Sequence, residues 1–146
     1  SEIDPIVEDV MSAARGSRAI WDFGTIPAWL LDAPQPVGYP RDPDQVDWNY
    51  GAFKARPKPG ALPEIAAYFA RIASHYLAAG FRDDDGTVRR SGWRYPVAYW
   101  EVLNEPELEH DVDPALYNEL YDAIVPAVRE VAPGLRFGGP ASVSPM

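Results

Sequence analysis
The chain moves between two hydrophobic periods, the three-and-four spacing of an amphipathic helix and the short apolar runs of strands. Residues 4–15 predict a short helix. Asp4 caps it, Pro5 takes the first helical position, Ile6, Val7, Val10, Met11 and Ala14 form one stripe, and Gly16 supplies the stop. A short buried strand follows over 18–23, ending at Gly24. The clearest helix spans 62–79, where Leu62, Ile65, Ala66, Phe69, Ile72, Ala73, Tyr76 and Leu77 repeat on one face before Gly80 ends it. A strand over 96–103 runs into Asn104-Glu105-Pro106. Asp113-Pro114 opens another helix with Leu116, Leu120, Ile124 and Val128 on one face, and Pro126 is expected to kink or break it early. Pro133-Gly134 turns the chain into a last strand, Leu135-Arg136-Phe137, followed by Gly138-Gly139-Pro140.

Between Gly24 and Gly60 periodicity is lost. Seven prolines (27, 34, 36, 40, 43, 57 and 59) interleave there with Trp29, Tyr39, Trp48, Tyr50 and Phe53. A connection of that length is often functional, and its aromatics can anchor it to the core or line a cleft. The order helix, strand, helix, strand, helix, strand predicts an α/β fold of parallel βαβ units in one domain over 1–146. A full eight-fold barrel takes about 250 residues, and three strands cannot close one. Part of a barrel, a chain completed by a partner, and a small open sheet all fit this order.

Charge and composition narrow the function. With 13 Lys and Arg against 22 Asp and Glu, the net charge is −9. That balance repels phosphate backbones and argues against nucleic acid and anionic membrane surfaces as partners. No apolar run approaches the roughly 20 residues of a membrane span. The absence of cysteine excludes disulfides, thiolate metal sites and a cysteine nucleophile. Five Trp and eight Tyr suit either a sugar-binding protein or an aromatic core.

The chemistry concentrates at Asn104-Glu105-Pro106. At the carboxyl end of a parallel barrel strand a Glu points toward substrate, and glycoside cleavage needs one carboxylic acid to protonate the departing oxygen and a second carboxylate opposite it. A solvated Glu in a strand-terminal turn would give the same tripeptide. Trp100-Glu101-Val102-Leu103-Asn104-Glu105-Pro106 resembles the acid/base strand of the retaining glycoside hydrolase clan with a (β/α)8 fold. Arg136-Phe137-Gly138-Gly139-Pro140-Ala141 resembles the fifth strand of glycoside hydrolase family 39, and Phe23-Gly24-Thr25-Ile26-Pro27-Ala28-Trp29-Leu30 the segment after its third. The resemblance runs from about residue 18 to 142. It implies part of a TIM barrel, roughly strands 3 to 5 with their helices. It further implies a β-xylosidase-like hydrolase of O-glycosidic bonds, with Glu105 as acid/base and Asn104 on the sugar 2-hydroxyl. The nucleophile, another Glu on the seventh strand, would lie outside this chain. The alternative is a non-catalytic carbohydrate-binding or structural half-barrel.

Other residues are weighed against structural roles. Glu101 sits four residues before Glu105, a rise of about 13 Å and too long for a catalytic pair, so a buried pairing with an arginine is expected. Glu107, Glu109, His110, Asp111 and Asp113 form an acidic loop that can be solvated ahead of a helix or can contact substrate or a cation. Glu107 and His110 are the pocket candidates nearest Glu105. Trp29, directly after a strand, is a sugar platform or a core residue, while Trp48 and Trp93 lean structural. Asp83-Asp84-Asp85-Gly86 fails the spacing of a calcium loop and reads as a turn. No metal or cofactor is expected. A carbohydrate substrate is, together with association with the rest of a barrel or with another chain.

Overall fold
The computed structural model describes residues 3–15, 17–33 and 54–143. Within them the chain forms α1 (Ile3–Ala13), β1 (Ala19–Asp22), a single 3-10 turn (Ala28–Leu30), α2 (Leu62–Leu77), β2 (Phe81–Arg82), β3 (Val88–Arg89), β4 (Val97–Glu101), α3 (Pro106–Glu109), α4 (Pro114–Val131) and β5 (Arg136–Gly138). The predicted stop at Gly16 and the side chains of Tyr39, Trp48, Tyr50 and Phe53 lie outside the described residues.

Three strands form a parallel sheet in the order β1-β4-β5, so the middle strand in space is the second in sequence. The register lines up two kinds of row. Trp21, Trp100 and Phe137 lie side by side and face the helices, with Trp100 fully buried. Ile20, Tyr99 and Arg136 form a row on the other face, and Asp22, Glu101 and Gly138 form the next. Ile20 is 65% exposed there, whereas its neighbour Trp21 is buried. Among the described residues, helices cover one face only.

The core lies between that face and helices α2 and α4, which pack on each other. Phe69, Ile65, Leu120, Ile124 and Val128 fill it, at the spacing that predicted the two helices. Asp113 caps α4 by accepting from the Leu116 amide at 2.9 Å. The expected break at Pro126 does not occur, and α4 runs through it to Val131. Pro126 and Asp122, whose carbonyl loses its helical donor, are both exposed, so water can replace the missing bond.

The acidic turn at 83–86, expected as a turn alone, is the tip of an antiparallel hairpin, β2–β3. Asp83 and Asp85 accept from the Thr87 amide and pair with Arg89, so their charges are answered within the hairpin. The structure is thus a mixed α/β fold with a small parallel sheet, and no closed barrel is formed among the described residues.

Candidate functional site at the carboxyl end of the sheet
β4 ends at Glu101, and the backbone then leaves strand geometry. Leu103 has φ 64° and Glu105 has φ 39°, both left-handed, a conformation that costs a non-glycine residue about 1–2 kcal/mol. The side-chain alternation of a strand therefore does not carry on from Glu101 to Glu105. The turn is pinned from several directions. The Glu105 amide donates to the Ala141 carbonyl at 3.0 Å, and Asn104 bridges in parallel to Ala141. Pro106 is buried and starts the one-turn helix α3.

Asn104 donates from Nδ2 to Glu109 Oε1 at 3.1 Å, which engages one face of the amide that was expected to meet a sugar hydroxyl. Gly24 allows this packing: a Cβ there would lie 2.8 Å from Asn104 Cβ and 3.0 Å from its amide nitrogen. Glu107 accepts from the Val143 amide at 2.7 Å and so ties the segment after β5 to α3.

His110 is buried, and its Nε2 accepts from the Ile26 amide at 3.1 Å. That bond requires a lone pair on Nε2, so the nearby Glu109 carboxylate at 3.8 Å faces a neutral ring. Burial lowers the imidazole to about 4, only partly offset by the Gly24 backbone. His110 joins the segment after β1 to the loop after β4. Nδ1, the other ring nitrogen, is buried as well and faces the Gly24 backbone without a close hydrogen bond.

A residue missed in the sequence completes the electrostatics. Asp22, the last residue of β1, pairs in register with Glu101. Burial, then Glu101 and Glu109, raise its carboxyl to about 6, although part of its surface reaches solvent. Burial also raises Glu109; the Asn104 bond opposes this and Glu105 adds to it. The signal that could have identified Asp22 was its position, at the carboxyl end of a strand parallel to the one carrying Glu105. The arginine expected beside Glu101 is not found among the described residues; its neighbour is Asp22.

The rest of the acidic loop is neutralised at the surface. Lys54 pairs with Asp111 at 3.0 Å, and Arg56 pairs with Asp113 at 2.9 Å. Among the described residues no group of three metal-ligating side chains converges. Trp29 is 62% exposed on the 3-10 turn and meets Tyr68 of α2 edge-on at 6.2 Å. The structure thus brings Asn104, Glu105, Glu107 and His110 into one turn, with Trp29 on the segment that His110 anchors. A cavity of about 660 Å³ lies away from this turn, between α1, α2 and the β2–β3 hairpin. No family model, curated protein or solved structure matches the chain.

Proposed function
We propose that this chain carries the acid/base half of a retaining glycoside hydrolase site, within part of a (β/α)8 barrel similar to glycoside hydrolase family 39. The observation that carries the reading is the conformation of Glu105. It is held left-handed at the carboxyl end of the central parallel strand, and strain of this kind persists where the surroundings over-determine it, often at functional sites. The one-sided sheet supports the partial barrel, since parallel sheets are ordinarily covered on both faces and no described helix packs on the face bearing Asp22 and Glu101.

In this reading the substrate is a β-xyloside or related sugar, and Trp29 and the polar groups of Asn104, Glu107 and His110 contribute to its binding. A carboxylate from outside the chain attacks the anomeric carbon while Glu105 gives its proton to the departing oxygen. Glu105, now ionised, takes a proton from water as that water attacks the glycosyl–enzyme intermediate. Asn104, fixed by Glu109, holds its remaining amide groups toward the sugar.

The test uses the protein in an assembly that turns over aryl β-xylosides. Glu105→Gln should lower turnover of poor leaving groups by about 10²–10⁴-fold, the usual range for a general acid. Substrates with an activated leaving group should still form the intermediate. Unchanged turnover of poor leaving groups would rule the assignment out. A second reading, sugar binding without cleavage, draws on the fact that no closed barrel is formed among the described residues. Xylo-oligosaccharide binding with no bond cleavage in any assembly would select it.

A further inference from the structure
The cavity between α1, α2 and the hairpin is built separately from the Glu105 turn, and its chemistry differs. Its floor is apolar, formed by Phe23, Tyr68, Ile72 and Phe81. Arg71 from α2 and Arg90, the residue after β3, also line it and, being exposed, form its rim. Both are exposed, and neither has a hydrogen-bond or ion-pair partner among the described residues. Other charges in the same wall are satisfied. Arg89 is held by Asp83 and Asp85. The Asp4 carboxylate accepts from Tyr76 Oη at 2.7 Å and lies 3.0 Å from His75 Nε2; burial opposes its charge, yet these bonds hold it at about 2.

The hairpin that carries Arg90 is clamped to α2. The Ser91 amide and hydroxyl both donate to the His75 carbonyl, at 3.1 and 2.9 Å. Gly80, at φ 90°, lets the hairpin close in, since a Cβ there would lie 2.4 Å from the Arg89 carbonyl oxygen. The rim is therefore preformed. A chain with net charge −9 sets two guanidiniums, unpartnered among the described residues, beside an apolar floor, the mixture of apolar lining and few polar groups that small-molecule sites show. The volume falls within the roughly 300–1,000 Å³ of such sites and suits a body of one or two rings. A free sugar, ringed by hydroxyls, would leave most of them unpaired over this floor.

We propose that this cavity binds a small organic anion, with an aromatic or branched apolar body on the Phe23–Ile72 floor and a carboxylate or sulfonate head between Arg71 and Arg90. The proposal stands independently of the glycosidase reading.

Calorimetric titration of the full chain with 2-naphthalenesulfonate and with neutral 2-naphthalenemethanol tests it. The anion should bind about tenfold more tightly than the alcohol, as charge-assisted bonds to arginine require. In the double variant Arg71→Gln/Arg90→Gln that preference should fall to about twofold or less, while the alcohol keeps its affinity. Both arginines are exposed, so the variant is expected to fold, and an unchanged thermal midpoint checks this. Trp93→Ala reads out the smaller neighbouring cavity that shares Arg90, and it should leave both affinities unchanged. Equal affinity for the two probes in the parent, no binding of the anion, a preference that survives the double variant, or one lost in Trp93→Ala would each overturn the proposal.

Discussion
At Glu105 the side chain and the backbone pull in opposite directions. A left-handed φ of 39° suits asparagine or glycine far better than glutamate. Glu105→Asn is therefore expected to stabilise the fold by about 1 kcal/mol, read as a higher urea midpoint with unchanged slope. If Glu105 is the acid/base, the same variant loses turnover, the trade-off of a strained functional residue. His110 and Asp22 set opposing pH dependences. The unfolded chain protonates His110 near 6.5 and the folded chain only at about 4, so the unfolded state binds the proton first. Its neutral ring contributes fully above pH 6.5 and loses on the order of 3 kcal/mol as pH falls to 4. Asp22 has the reverse sign: its folded carboxyl titrates at about 6 against 3.8, so stability is lost as pH rises through that window. Asp22→Asn should raise the thermal midpoint at pH 7 and steepen the fall between pH 7 and 4.5. A midpoint at pH 7 that stays put or drops would show that the Asp22–Glu101 pair carries no repulsion.

At the scale of elements, the regular helices and the sheet strands were legible because their burial is periodic. The 62–79 stripe became α2, and the apolar run before Asn104 became β4. What escaped was set by contacts distant in sequence. Nothing local to Asp22 reveals that Glu101 will stand beside it, because their register is fixed by a crossover. The left-handed turn at 103–105 is likewise imposed by Ala141 and Gly24, so alternation could not foresee where Glu105 points. The hairpin β2–β3 has two residues per strand, too few for a period. Pro126 lies inside α4 for another reason: the carbonyl it frees, on Asp122, is exposed to solvent, which lowers the cost of the lost bond. Pro126→Ala should restore a helical hydrogen bond and stabilise α4 by about 2 kcal/mol. Denaturant unfolding measures it; a loss of stability would mean that the helix depends on a bend at that point.

At the scale of the molecule, the order β1-β4-β5 makes the middle strand the organiser, since among the described residues both outer strands pair only with it. The candidate site depends on the same arrangement: β1 brings Asp22 and Gly24, β4 brings the Asn104-Glu105 turn, and the segment after β5 brings Ala141. The segments that resemble a glycosidase contain Gly24, the Asn104-Glu105 turn and Ala141, but they give no role to Asp22, whose place beside Glu101 is set by the crossover. During synthesis this topology imposes a waiting time. Ala19 lacks its β4 partner until Val97 has been made, and translation at about 5–20 residues per second leaves that edge of β1 unpaired for several seconds. Through that interval β1 lacks its β4 neighbour and relies on whatever shields nascent polypeptides. Arrested ribosomes carrying the chain only to Gly92 should leave the β1 region open to protease, and those carrying it clear of the exit tunnel past Ala141 should protect it.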